Sequence, residues 1–157
     1  MGGLSGLGFV VCFLFDQGRK DMLFTKETDY AIRFFRTLQD GKQYPVSEIA
    51  EREMIPQQFA YKILRKLSKA GYVNVTRGAK GGCRLAVDLA EVTLLELVGT
   101  IESKKAFVPC LDADYSCEYR SSHGGCKVHE NMNFVEEQLK QGLAGISIDD
   151  ILNKDMI

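Results

Sequence analysis

The residues best suited to chemistry in this 157-residue chain are gathered in one stretch. Cys110, Cys117 and Cys126 follow one another as Cys-x6-Cys-x8-Cys, and His129 comes next as Cys-x2-His. Both histidines, His123 and His129, and three of the five cysteines thus fall within residues 110–129. Core cysteines sit inside apolar runs, whereas these lie among Asp112, Asp114, Ser116, Ser121, Ser122, Gly124 and Gly125. Thiolates and an imidazole on a polar, glycine-bearing loop form the donor set of a zinc ion or an iron–sulfur cluster, and the spacing accepts either. A disulfide-forming redox switch is the remaining option, with one thiol left over. Five cysteines cannot all pair internally, and no secretory signal is apparent, so a reducing, cytoplasmic setting is expected. Cys83 stands apart in an alternating segment and reads as a small packing residue.

A second group is polar and basic. Gln58, Tyr61, Lys62, Arg65 and Lys69 recur at i, i+3, i+4, i+7 and i+11, with Gln57 just ahead, so they share one helix face opposite an apolar stripe of Ala60, Ile63, Leu64 and Leu67. Glutamine pairs with adenine edges, lysine with guanine or phosphate, and a recognition helix offers such residues to the major groove. Further along, Arg77-Gly78-Ala79-Lys80-Gly81-Gly82 is a glycine-rich hairpin tip. Its Arg77 and Lys80 suit a narrow, electronegative minor groove.

The elements that must position these groups follow from periodicity and punctuation. A helix is predicted from Thr25, its N-cap, to about Gln39, with Ala31, Phe34, Phe35 and Leu38 on one face and Asp40-Gly41 as its stop. A short helix over Ser47–Glu53, a turn at Met54-Ile55-Pro56, and a helix to about Ala70 follow, with Pro56 expected at the first helical position. Tyr72–Thr76 and the segment around Arg84–Val87 read as paired strands. Helix, short helix, turn, helix and two-stranded wing make a winged helix-turn-helix. Thr93–Glu102 reads as another helix, residues 103–127 lose all periodicity, and Val128 to Leu143 is helical again, with Val128, Met132, Val135, Leu139 and Leu143 in one stripe. A lone helix with such a stripe needs a partner subunit to cover it. Residues 146–152 are expected to pack as a short final element.

Charge divides the same way. The net charge is −1, but residues 22–87 hold 12 Lys/Arg against 6 Asp/Glu, and residues 88–157 hold 6 against 13. A basic surface for nucleic acid joined to an acidic segment with another task fits this asymmetry. Leu4–Phe15 is apolar but too short to span a bilayer, so no membrane partner is expected. The expected organisation is residues 1–21 as an N-terminal extension outside the fold, 22–90 as a winged helix-turn-helix DNA-binding domain, and 91–157 as dimerisation helices with the cysteine loop. The fold class is mainly α with a small β-wing. No nucleophile–base pair or phosphate-binding glycine loop is present, so an enzyme is not expected.

At these residues the chain resembles the Rrf-type transcriptional regulators, the group with IscR, NsrR and RirA branches. The resemblance is carried by Leu23-Phe24-Thr25-Lys26-Glu27-Thr28-Asp29-Tyr30-Ala31-Ile32-Arg33, by Val46-Ser47-Glu48-Ile49-Ala50, by Arg77–Gly82 with Arg84-Leu85-Ala86, and by the three-cysteine loop ahead of a long helix. It implies a homodimer crossed by the long helices, with two winged heads on a palindromic operator in double-stranded DNA. It implies base-facing roles for Gln58, Tyr61 and Lys62, a wing role for Arg77, and cluster ligation by Cys110, Cys117 and Cys126. His129 matches the histidine that completes a 2Fe–2S site in one branch, the first choice here, and Asp29 matches an aspartate that caps a 4Fe–4S cluster across the dimer in another. The expected function is a DNA-binding regulator, a repressor, sensing iron–sulfur, redox or nitric oxide status. The alternative is a zinc-stabilised or thiol-switch scaffold without a cluster. The chain departs from the pattern in its longer cysteine gaps, in Cys83 where an aromatic is common, and in Pro56 where serine is common.

Overall fold

The computed structural model describes residues 24–78, 81–102 and 108–156. The expectations made for residues 1–21 and for Lys80 lie outside them.

Helix α1 (Lys26–Leu38) starts where the Thr25 hydroxyl accepts the Glu27 N–H at 3.2 Å, and it buries Ala31, Phe34, Phe35 and Leu38. It is followed by Gly41 at φ +75°, a left-handed position that glycine adopts without strain. Helices α2 (Val46–Arg52) and α3 (Gln57–Lys69) are joined by a turn in which Met54 takes φ +53°. Pro56 is the extended residue ahead of α3 rather than its first helical residue, because its ψ is 132°. Ala60, Ile63, Leu64 and Leu67 face inward, as the stripe requires.

Strands β1 (Val73–Thr76) and β2 (Gly82–Leu85) pair antiparallel, Val73 opposite Leu85 and Thr76 opposite Gly82. The second strand begins about two residues earlier than its alternation indicated, since this register carries the ladder to Gly82. The reason is a third partner. Cys83 donates its N–H to the Tyr44 carbonyl at 2.9 Å and accepts the Tyr44 N–H at 3.0 Å, so the loop between α1 and α2 runs along the outer edge of the wing. A Cβ on Gly82 would lie 2.5 Å from the Tyr44 carbonyl oxygen, and only glycine permits that approach.

Helix α4 (Leu94–Ile101) opens with a capping box in which Thr93 and Glu96 satisfy each other's backbone N–H groups, and α7 (Ile148–Asn153) opens with the same device from Ser147 and Asp150. The two starts are stitched together: Leu94 N–H donates to the Ile146 carbonyl and Ile148 N–H to the Val92 carbonyl, both at 2.8 Å. Leu97, Ile101 and Ile148 thereby join the same buried cluster as Phe34, Phe35, Ile63 and Leu67. Each such side chain contributes about 1.5–3 kcal/mol of burial.

The segment expected to lack periodicity holds a 3₁₀ turn (Pro109–Leu111) and a short helix α5 (Glu118–His123). Helix α5 buries none of its residues, so it leaves no apolar stripe to read, and Gly124 at φ +69° closes it. Helix α6 (Lys127–Ala144) follows. Val128, Phe134, Val135 and Leu139 stay exposed on it, and Glu136 is its buried residue, ion-paired with Lys140 at 2.8 Å.

Candidate DNA interface and cysteine segment

One surface gathers nearly all the described polar residues singled out for DNA. Gln57, Gln58, Tyr61, Lys62, Arg65 and Lys69 are all exposed on α3, and Arg77 is exposed at the end of β1. The apolar stripe behind them is what aims them outward. Two bonds fix the wing relative to α3: Tyr72 N–H donates to the Leu67 carbonyl at 2.9 Å, and Ala86 N–H to the Tyr72 carbonyl at 3.0 Å. Gly78 at φ +110° turns the chain at the tip, and Gly81 N–H donates to its carbonyl at 2.8 Å.

The turn before α3 is held by a carboxylate. Glu53 is 7% exposed and accepts from Arg36 Nε at 3.1 Å, from Arg36 Nη2, and from the Thr37 hydroxyl at 2.7 Å. Burial works against its ionisation, but the hydrogen bonds from Arg36 and Thr37 outweigh it and hold the group below the ordinary glutamate range.

A second polar junction lies where α1, α3 and α4 meet. Glu27 accepts from Lys62 Nζ at 2.5 Å and from Lys66 Nζ at 2.8 Å, and Lys66 also donates to the Ile101 carbonyl. Beside them Glu102 accepts the Thr25 N–H at 3.1 Å, the Thr25 hydroxyl at 2.7 Å and the Thr28 hydroxyl at 2.5 Å. Burial works against the ionisation of both carboxyls, yet the lysines at Glu27 and the threonines at Glu102 prevail and hold both below the ordinary glutamate range. Local spacing marks neither Glu27 nor Glu102, because their partners lie 35 to 77 residues away along the chain. Lys66, on the same helix as Lys62, is occupied inside this junction.

The thiols Cys110, Cys117 and Cys126 are free and half-buried. Cys110 belongs to the 3₁₀ turn, and Cys117 and Cys126 immediately precede α5 and α6. His129 is in the first turn of α6, where Arg120 Nη1 donates to its Nε2 at 2.9 Å. His123 stacks on Tyr119, ring centres 4.1 Å apart. Asp29 is ion-paired with Arg33 at 2.9 Å on α1. Among the described residues, no three His, Cys, Asp or Glu side chains are close enough to hold a metal ion. The donor set nevertheless fits one chemically: three unpaired thiols and an imidazole on adjoining elements, beside backbone N–H groups that open two helices. Cys83 is fully buried, and burial pushes its thiol up to about 11, which suits packing rather than ligation.

Among the described residues, no helix is long and apolar enough to cross a membrane. A family model described as Rrf2, iron-dependent transcriptional regulator, matches residues 24–154. Protein aau3 of Rhizobium meliloti is 31% identical over 134 residues, covering 83% of this chain and 85% of that protein. The HTH-type transcriptional regulator NsrR of Bacillus subtilis is 32% identical over 96 residues, covering 59% of this chain and 66% of that one. Among solved structures, T. potens IscR superposes with a TM-score of 0.57 at 21% identity, over 83% of this chain and 86% of that one.

Proposed function

The chain belongs to the Rrf2 family of transcriptional regulators, and from that membership we propose that it is a repressor that binds a palindromic operator as a homodimer under the control of an iron–sulfur cluster. Residues 22–90 form the reading head in this account, and residues 91–157 supply the dimer contact and the cysteine segment. The carrying observation is the exposed row of Gln58, Tyr61, Lys62 and Arg65 on α3 with Arg77 beside it on the wing. Such a row fits the major groove, and Arg77, with Lys80 beyond it, fits the adjoining minor groove. Gln57 and Lys69 lie at the two ends of the helix, where phosphates pass. The uncovered side chains Val128, Phe134, Val135 and Leu139 on α6 are suited to the same helix of a second copy.

Cys110, Cys117 and Cys126 would hold the cluster, with His129 as fourth ligand. His129 is favoured over Asp29 because it follows Cys126 in the first turn of the same helix. That choice favours a 2Fe–2S over a 4Fe–4S centre, in keeping with the resemblance. Bound there, the group would supply a response to redox state or nitric oxide that bare thiols lack, and the matching family model is described as iron-dependent. The chain's own residues would carry the response onward: Glu102 and the Ile101 carbonyl close α4 on the side leading to Cys110, and both are bonded to the head.

Titrating anaerobically purified protein against a duplex selected from a random pool, at several salt concentrations, tests the DNA reading. Arg77→Ala is expected to weaken binding to that duplex about tenfold and to make the dependence of log affinity on log salt shallower by about one. Unchanged affinity and slope would exclude Arg77 from the interface. A colourless wild-type protein with stoichiometric zinc would favour the zinc-stabilised alternative, and a colourless metal-free one the thiol switch.

A further inference from the structure

The junction under α3 contains an arrangement that DNA binding alone does not call for. Lys62 stands on the reading face with its side chain about half exposed, yet its ammonium is held by Glu27 at 2.5 Å. We infer that Glu27 is a specificity-determining positioning residue, which keeps Lys62 away from the phosphate backbone and aims it into the groove. This rests on the reading of α3 as the recognition helix.

The asymmetry of the pair supports this. Glu27 lies in the first turn of α1, where the helix dipole favours a carboxylate, and its side chain is only 18% exposed. It is further anchored by Lys66, which is itself tied to the Ile101 carbonyl. The carboxylate is therefore fixed, while Lys62 is the more exposed member, lining an open cavity of about 340 Å³. An ammonium has three N–H donors. With Glu27 taking part of that capacity, the rest is left to an acceptor on a base edge within a short radius of Glu27. A phosphate that came to Lys62 would have to displace a charge-assisted hydrogen bond and sit beside a carboxylate. Non-specific binding is almost wholly phosphate contact, so a lysine withheld from phosphates lowers affinity for every sequence except those that offer it a base acceptor.

Three variants test this against two duplexes, one selected from a random pool and one of scrambled sequence. Glu27→Gln keeps the shape and removes the charge. It is expected to bind the scrambled duplex about three- to tenfold tighter, to steepen its salt slope by about one, and to leave the selected duplex bound no tighter than by wild type. Lys62→Met, a change at an exposed position, is expected to weaken the selected duplex while leaving the scrambled-duplex slope as in wild type, because that lysine is already withheld. The double variant should return the scrambled-duplex slope to the wild-type value. An unchanged scrambled-duplex slope in Glu27→Gln, or a slope shallower by about one in Lys62→Met, overturns the inference. Failure of the recognition-helix reading looks different: Lys62→Met and Arg65→Met would then both bind the selected duplex like wild type. Should Glu27→Gln melt far below wild type, the Lys62→Met slopes decide alone.

Discussion

Serine in place of Cys110, Cys117 or Cys126 is expected to abolish iron and acid-labile sulfide binding and to leave a colourless protein with an intact fold. The metal ligand is the thiolate, and a serine hydroxyl, with its far higher pKa, does not replace it. None of these cysteines belongs to the buried cluster, so each variant should melt close to wild type. His129→Ala is expected to retain part of the absorbance with a shifted spectrum, and Asp29→Ala to resemble wild type. Full iron occupancy in any of the three serine variants would remove that cysteine from the ligand set. A colour loss in Asp29→Ala but not in His129→Ala would move the fourth ligand to the head.

The second large effect concerns stability. Glu53→Ala removes the carboxylate that ties α1 to the turn ahead of α3, with Arg36 and Thr37 as its donors. Hydrogen bonds to a charged group contribute about 1.5–3 kcal/mol each at most, and Arg36 is half exposed and regains water, so a total loss of about 2–3 kcal/mol is expected. For a chain of this size that corresponds to a melting temperature lower by roughly 4–12 °C. The pH dependence has a definite sign. The folded-state ionisation of Glu53 lies below its ordinary value of 4.5, so its contribution is complete above that pH and disappears as pH falls through the depressed value. The gap between wild type and Glu53→Gln in a series of thermal melts should therefore narrow below about pH 4.5. A constant gap down to pH 3 would show that the carboxylate's charge does not matter.

Where a pattern repeats, sequence was a good guide. The stripe Ala31, Phe34, Phe35 and Leu38 and its counterpart Ala60, Ile63, Leu64 and Leu67 bury as their spacing requires, because burying one face is what makes each helix stable. Gly41 and Gly71, both left-handed, end their helices where glycine stood to do so. The α5 helix was hidden for the converse reason: Glu118–His123 buries nothing, and only the left-handed Gly124 behind it marked its end. Met54 at φ +53° was equally hidden, since a left-handed methionine is dictated by the packing of α2 against α3 rather than by its own preference. Long-range polar pairs were the least legible. Nothing near Glu27 in the chain points to Lys62 or Lys66, and nothing near Tyr44 points to Cys83. Such partners are chosen by tertiary packing, which local spacing does not encode.

The strip of backbone around Tyr44 has a mechanical consequence. With the α1–α2 loop laced to one edge of β2, and β1 bonded through Tyr72 to the end of α3, wing and recognition helix are braced from both sides into one rigid body. Under the proposed reading, a stimulus from the cysteine side would meet no joint among the described residues of that body. It would swing the whole head like a lever, while the mould offered to the base pairs kept its shape.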